Sequence, residues 1–293
     1  MTVFYWLLNM SLLGGLMGLP ILLLRRLRRM PRFVALWLIP FLRLWLPYGL
    51  RWKYSLMTLF DGLLRSVPAR GTAKYVTTVN AFQLAQDYAP LSFASARVEN
   101  VLRAASVVWL LVAAALLLTL LFLYIVTARE LRGAPTFSDR VTAPMVFGIL
   151  RPRVLLPLRL REEHNTYILL HEQAHIRYRD NLWRLLGLVT CCVHWFNPLC
   201  WLFLRAFFED IELRCDEAAL RACGTENRRD YARALLREQE QRSVFSAAFG
   251  GAKLRVRVAH ILQYRKLSLF STLALLLFFA LCAAALLTNG GTL

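Results

Sequence analysis

Acidic side chains are scarce in this sequence. Eighteen Asp and Glu stand against 36 Lys and Arg, for a formal net charge of +18. Charged residues make up 18% of the chain and hydrophobic ones 58%, a balance too apolar for a soluble enzyme. The six cysteines form no CxxC pair and no disulfide framework; they lie in apolar runs or near the acidic stretch 209–217. Cys215 and Cys223 therefore read as reduced thiols. No positive charge precedes the first apolar run and no convincing cleavage site follows it, so a secretory signal peptide is not expected. The positive charge comes with no zinc-finger, RNP or helix-turn-helix signature, so direct nucleic-acid binding is not expected either. Basic loops beside membrane spans account for it better.

Long apolar runs are what the sequence has in quantity. A bilayer takes about 20 apolar residues per helix. Residues 3–24, 33–50, 105–127 and 268–288 are the expected transmembrane helices, the second weakened by Pro40, Arg43 and Pro47. Arg43 reads either as a functional mid-span charge or as a residue near an interface. Gly14 and Gly18 make a GxxxG pair suited to helix packing, though such pairs also occur incidentally. Residues 25–32 carry five arginines in eight positions and mark a cytoplasmic loop, because short loops carry the orientation rule. The expected organisation is a membrane region over 1–127 with an outer loop 51–104, a cytoplasmic domain over 128–267, and a fourth span with a short tail over 268–293.

Within the cytoplasmic stretch, residues 171–175 read His-Glu-Gln-Ala-His. Two imidazoles four residues apart share one helical face and can ligate one metal ion, and the glutamate between them can take a proton from water activated there. A hydrolytic zinc needs a third protein ligand from another element. Glu212 is the expected third ligand, and Asp216, one turn on, the expected acceptor for a ligand imidazole N–H. Glu209 and Glu217 read as a solvated acidic face. The bland alternative for the pentad is an exposed helix face with coincidental histidines.

Residues 182–208 form another apolar run. Crossing the membrane once would separate the histidines from Glu212. Asn197-Pro198 offers a break, since proline cannot continue the hydrogen-bond ladder. The halves 182–195 and 199–208 would be roughly 21 and 15 Å long, too short for a core of roughly 30 Å. A re-entrant or shallow helical hairpin is expected, with His194 buried and hydrogen-bonded rather than ligating. Upstream, Val146-Phe147 and Val154-Leu155-Leu156 are β-prone runs bounded by Gly148 and prolines, which predicts a small hairpin. Its strand either pairs with an extended substrate or is purely structural. Residues 253–266 are basic and apolar and read as an amphipathic segment on anionic lipid.

These blocks resemble one family. His171 through Asn181 followed by Leu182 looks like its HExxHxxRxDxL-type block, His194-Trp195-Phe196-Asn197-Pro198 with Trp201 like its HWFNPxxW block, and Glu212 through Glu217 like its ExxCDE block. Ala143-Pro144 through Pro157 is similar to its SPxVFGxxxPxIxLP block. The family is the membrane-embedded zinc peptidases of the BlaR/MecR antirepressor type, which are gluzincin-like, and the likeness covers roughly residues 140–265. It implies a mainly α, polytopic protein whose His171, His175 and Glu212 bind Zn2+, with Glu172 as general base. It implies regulated cleavage of a cytoplasmic protein, often a DNA-binding repressor, at the cell membrane. The sequence ends at Leu293, so the family's C-terminal penicillin-binding sensor domain is not expected here. The expected partners are a protein substrate and the lipid bilayer, with a separate sensor protein or a second copy of the chain as further candidates. Two other readings stay open: a general or CAAX-type membrane protease, and a non-catalytic receptor stabilised by zinc.

Overall fold

The computed structural model describes residues 3–27, 34–46, 50–51, 96–161, 166–240 and 254–263, with isolated positions between 273 and 289. It is mainly helical. Helix α1 spans Val3–Leu27, a 3-10 turn covers Val34–Trp37, and α2 follows over Leu38–Trp45. The long α3 spans Ala96–Glu130, α4 Thr166–Arg177, α5 Asp180–Val193, α6 Pro198–Cys223 and α7 Arg228–Glu240. Residues 254–262 form a further helix, α8. Strand β1 (Leu50–Arg51) pairs in parallel with β5 (Thr288–Asn289). Between α3 and α4, β2 (Phe137–Ser138), β3 (Met145–Phe147) and β4 (Arg153–Pro157) form a sheet in the order β2-β4-β3.

The expected hairpin is β3–β4, antiparallel with Val146 opposite Val154. The parallel strand β2 adds to it. Gly148 turns the chain at φ +104°, where a side chain would meet the carbonyl oxygen of Arg151. Asn181, at the start of α5, donates from Nδ2 to the carbonyls of Val146 and Gly148 at 3.0 and 2.8 Å. The hairpin is thereby hung on the helical layer beside the pentad.

Among the described residues, one helix is long and apolar enough to cross a membrane: Asn100–Glu130, mean hydropathy 2.7. Only 6% of its most apolar stretch is buried, so its apolar surface faces outward rather than into a core. The expected span 105–127 lies within it. Helix α1 covers the expected span 3–24, but its apolar stretch is the shorter Met10–Leu23; Val34–Trp45, within the expected span 33–50, is likewise apolar but short. Four transmembrane helices are thus not established. Most of the expected fourth span, of the outer loop and of the arginine loop lies outside the described residues.

The chain reverses at His194–Asn197. Asn197 caps α6, accepting from Leu199 N at 2.9 Å, with Pro198 at the first helical position. His194 is buried, and its ring bridges Ser11 Oγ and the Leu44 carbonyl, both at 2.9 Å. It therefore ties α1 and α2 to the turn instead of spanning the turn itself. Phe203, Phe207 and Ile211 of α6 pack with Ile21 and Trp37 as one buried cluster. At its edge, Asp210 accepts from Trp37 Nε1 at 2.8 Å and Arg25 Nε at 3.0 Å, and Glu209 pairs with Arg25. Of the two acids expected on a solvated face, Glu217 is 7% exposed and paired with His260 at 2.8 Å, while Glu209 is partly exposed and paired with Arg25.

Candidate metal centre

Helix α4 buries Ile168, His171, Glu172, Ala174 and His175, which fall on one face at helical spacing. That face lies against α6 in the stretch that carries Glu212 and Asp216. His171 Nε2 and His175 Nε2 are 3.2 Å apart. Glu212 Oε2 lies 3.6 Å from the first and Oε1 3.8 Å from the second. Donors at about 2.0–2.2 Å from a tetrahedral zinc stand roughly 3.3–3.6 Å from one another. The three donors therefore fit such an ion. All three line a cavity of about 430 Å³ together with Glu172 and with Pro144, Met145 and Val146 of the hairpin.

Each imidazole turns its other nitrogen to a buried carboxylate. His171 Nδ1 is 3.0 Å from Asp216 Oδ1. His175 Nδ1 is 2.7 Å from Asp180 Oδ2. The same Asp180 carboxylate pairs with Arg214, so it both orients His175 and holds the arginine. The chain breaks sharply after α4, with Arg179 in the left-handed region at φ 54°, and this swings Asp180 back under the histidine. No helical periodicity predicts that contact. Cys215 sits against both, its thiol 3.1 Å from Asp180, and burial followed by the Asp180 charge pushes that thiol well up.

Three cleft residues were missed altogether. Tyr231 of α7 donates to Asp216 Oδ1 at 2.7 Å and lies 3.2 Å from His171 Nδ1. Arg184 of α5 pairs with Glu212. Arg257 of α8 pairs with both Glu212 and Asp216. The basic stretch 253–266 is consequently not a purely lipid-facing segment. Arg255 is exposed, but Arg257 and Ile261 point inward, since the α6 acids and an apolar cluster lie beneath them.

The charges are mutually supporting. Burial and the Arg257 guanidinium push His171 down, but hydrogen bonds to Asp216 and Glu212 outweigh them and raise it to about 9. Burial works to raise Glu212 and Asp216, yet Arg257 and His171 hold both carboxyls far below the usual range. Burial, then Asp216, lifts the Tyr231 phenol well above its usual value. A proton on His171 thus stands where a metal ion would carry the charge.

The family model described as BlaR1 peptidase M56 matches residues 5–265. The chain belongs to that family. The match reaches well beyond the motif region, into α1 and α2. Among curated relatives, the methicillin resistance mecR1 protein of Staphylococcus aureus (strain Mu50 / ATCC 700699) is 28% identical over 106 residues, 35% of this chain and 18% of that protein. The same figures hold for the mecR1 protein of Staphylococcus epidermidis. The regulatory protein BlaR1 of Bacillus licheniformis is 25% identical over 127 residues, 42% of this chain and 21% of that protein. The chain thus spans about a fifth of the length of the curated relatives it matches.

Proposed function

We propose that this M56 family member is a zinc-dependent membrane endopeptidase cleaving a cytoplasmic protein, a transcriptional repressor being the favoured class, as a step in transmembrane signalling. His171, His175 and Glu212 hold the zinc, Glu172 is the general base, and Asp216 supports His171. The observation carrying this reading is the convergence of two imidazoles and one carboxylate at tetrahedral spacing beside Glu172, in a cleft edged by a strand.

Bound zinc would polarise the scissile carbonyl and bring the pKa of water toward about 7. The chain's own residues do the rest. Asp216 and Asp180 keep each histidine in the tautomer that offers Nε2. Glu172 receives the proton of the attacking water as its oxygen bonds to the carbonyl carbon. It returns that proton to the nitrogen as the carbon–nitrogen bond breaks. Strand β3 is an edge strand on the cleft, suited to aligning an extended substrate, and Asn181 fixes its height.

Multi-pass topology accompanies this reading: spans near 3–24, 33–50, 105–127 and 268–288, a cytoplasmic peptidase domain over 128–267, and the 182–208 hairpin set into the bilayer. The test uses full-length protein in detergent and fluorescein-labelled casein. Zinc-dependent hydrolysis is expected from wild type. Glu172→Gln should keep its zinc and lose about 10²–10⁴-fold in rate. Glu212→Gln should lose zinc itself by elemental analysis. Equal rates for wild type and Glu172→Gln would end the proposal. The native substrate is then sought by trapping on Glu172→Gln.

A further inference from the structure

Glu212 is gripped from two sides by arginines that zinc ligation does not require, Arg184 and Arg257. Arg257 is the more firmly built. Its Nε and Nη2 hold the two oxygens of Asp216 at 2.8 and 2.7 Å, a fork-on-fork pair. Its remaining nitrogen, Nη1, extends to Glu212 Oε2 at 3.2 Å, while Nη2 lies 3.3 Å from His171 Nε2. One turn further along α8, His260 pairs with Glu217 and Ile261 is buried against α6 and α7. The guanidinium is therefore set into the centre by a docked helix.

A permanent cation beside a divalent-cation site opposes metal binding unless its charge is met, and buried Asp216 meets it. Glu212 Oε2, which meets Nη1, is also the oxygen 3.6 Å from His171 Nε2, so a metal ion held there would draw its charge away from Nη1. The Asp216 grip keeps Nη1 in place, directed into the cleft. An N–H held there has one evident use: donating to an oxygen on which negative charge develops.

We propose that Arg257 is a catalytic residue of the peptidase, its Nη1–H donating to the scissile carbonyl oxygen as the tetrahedral carbon forms. The inference rests on the peptidase reading above. No bond to Arg257 forms or breaks; it accepts no proton, and the water, Glu172 and amine exchanges are those already given. The other donors near the pentad in sequence, Arg177, Tyr178 and Arg214, do not serve. Arg214 is turned to Asp180 and the Tyr178 ring, and neither they nor Arg177 line the cavity.

Wild type, Arg257→Lys and Arg257→Gln are compared in casein hydrolysis, in zinc content, and in calorimetric binding of an N-phosphoryl dipeptide, whose tetrahedral oxygens imitate the transition state. For Arg257→Gln, kcat should fall about 10²–10³-fold, KM should move less than about threefold, and zinc should stay bound. Dipeptide affinity should fall by a similar factor. Arg257→Lys, which keeps the charge on Asp216, should fold as wild type and recover only part of the loss. Faster hydrolysis by Arg257→Gln would make the arginine a plug and overturn the proposal. Zinc loss in proportion to activity, or unchanged dipeptide affinity, would overturn it equally. Dipeptide binding reads Arg257 without turnover, so failure of the peptidase reading in the Glu172→Gln comparison is a separate result.

Discussion

Two buried carboxylates, Asp180 and Asp216, decide how the paired imidazoles present themselves. Replacing a carboxylate that orients a metal-binding histidine typically lowers metal affinity 10–100-fold. Asp180→Ala should do so here, read by competition with a chromogenic chelator, and unaltered affinity would leave Asp180 a mere partner for Arg214. The same residues give the metal-free protein a pH signature. His171 is raised from 6.5 to about 9, so its protonated form contributes stability that is fully present below about 6.5 and is lost as pH rises through about 9. Chelator-treated protein should melt at lower temperature at pH 10 than at pH 6.5, and His171→Asn should remove that difference. His171, Glu172, His175, Glu212 and Asp216 were legible because helical spacing puts them on common faces. Asp180, Tyr231 and Arg257 were not, because each reaches the centre through a turn or a separate helix, and no spacing rule connects residue 257 to residue 216.

The helical elements meet through small residues and a buried turn. A Cβ on Gly18 would stand 2.2 Å from Phe203 ring atoms, and one on Gly14 would stand 2.7 Å from Leu44. The GxxxG pair is thus where α1 admits α6 and α2, and it is not incidental. Gly18→Leu must push Phe203 out of the cluster it shares with Trp37, at a cost of about 1–3 kcal/mol. A lowered melting temperature in detergent is the expected readout. The hairpin between α5 and α6 was readable from Asn197-Pro198 because a proline break has a local cause. That His194 bonds to Ser11 and Leu44 was not readable, since those partners lie 183 and 150 residues away. Strand β2 was missed for a similar reason: two residues carry no period, and only β4 gives them a partner.

Helix α3 is met by other elements near both of its ends. Near its start, Ser106 Oγ accepts from Phe4 N, and Trp109 donates to the Val193 carbonyl at the hairpin tip. Near its end, Tyr124 stacks on Phe147 of the sheet at 5.7 Å. The hairpin tip and the sheet therefore flank α3 at points about 23 Å apart along its axis. Irregular backbone set into a bilayer would be tolerated only where it is covered and hydrogen-bonded. The tip meets that condition: His194 N reaches Thr190 O, Asn197 N reaches His194 O, and Cys200 N reaches Asn197 O. Arg103 and Arg129, both exposed, lie about 39 Å apart along the helix, enough to clear a hydrocarbon core of roughly 30 Å. If the metal centre faces the cytoplasm, Arg103→Cys should react with a membrane-impermeant maleimide in intact cells. Arg129→Cys should react only after permeabilisation, in a background where Cys223 is replaced by Ser. The reverse pattern would put the cleft outside the cell and exclude a cytoplasmic repressor as substrate. Labelling of both cysteines in intact cells would mean that α3 does not cross at all.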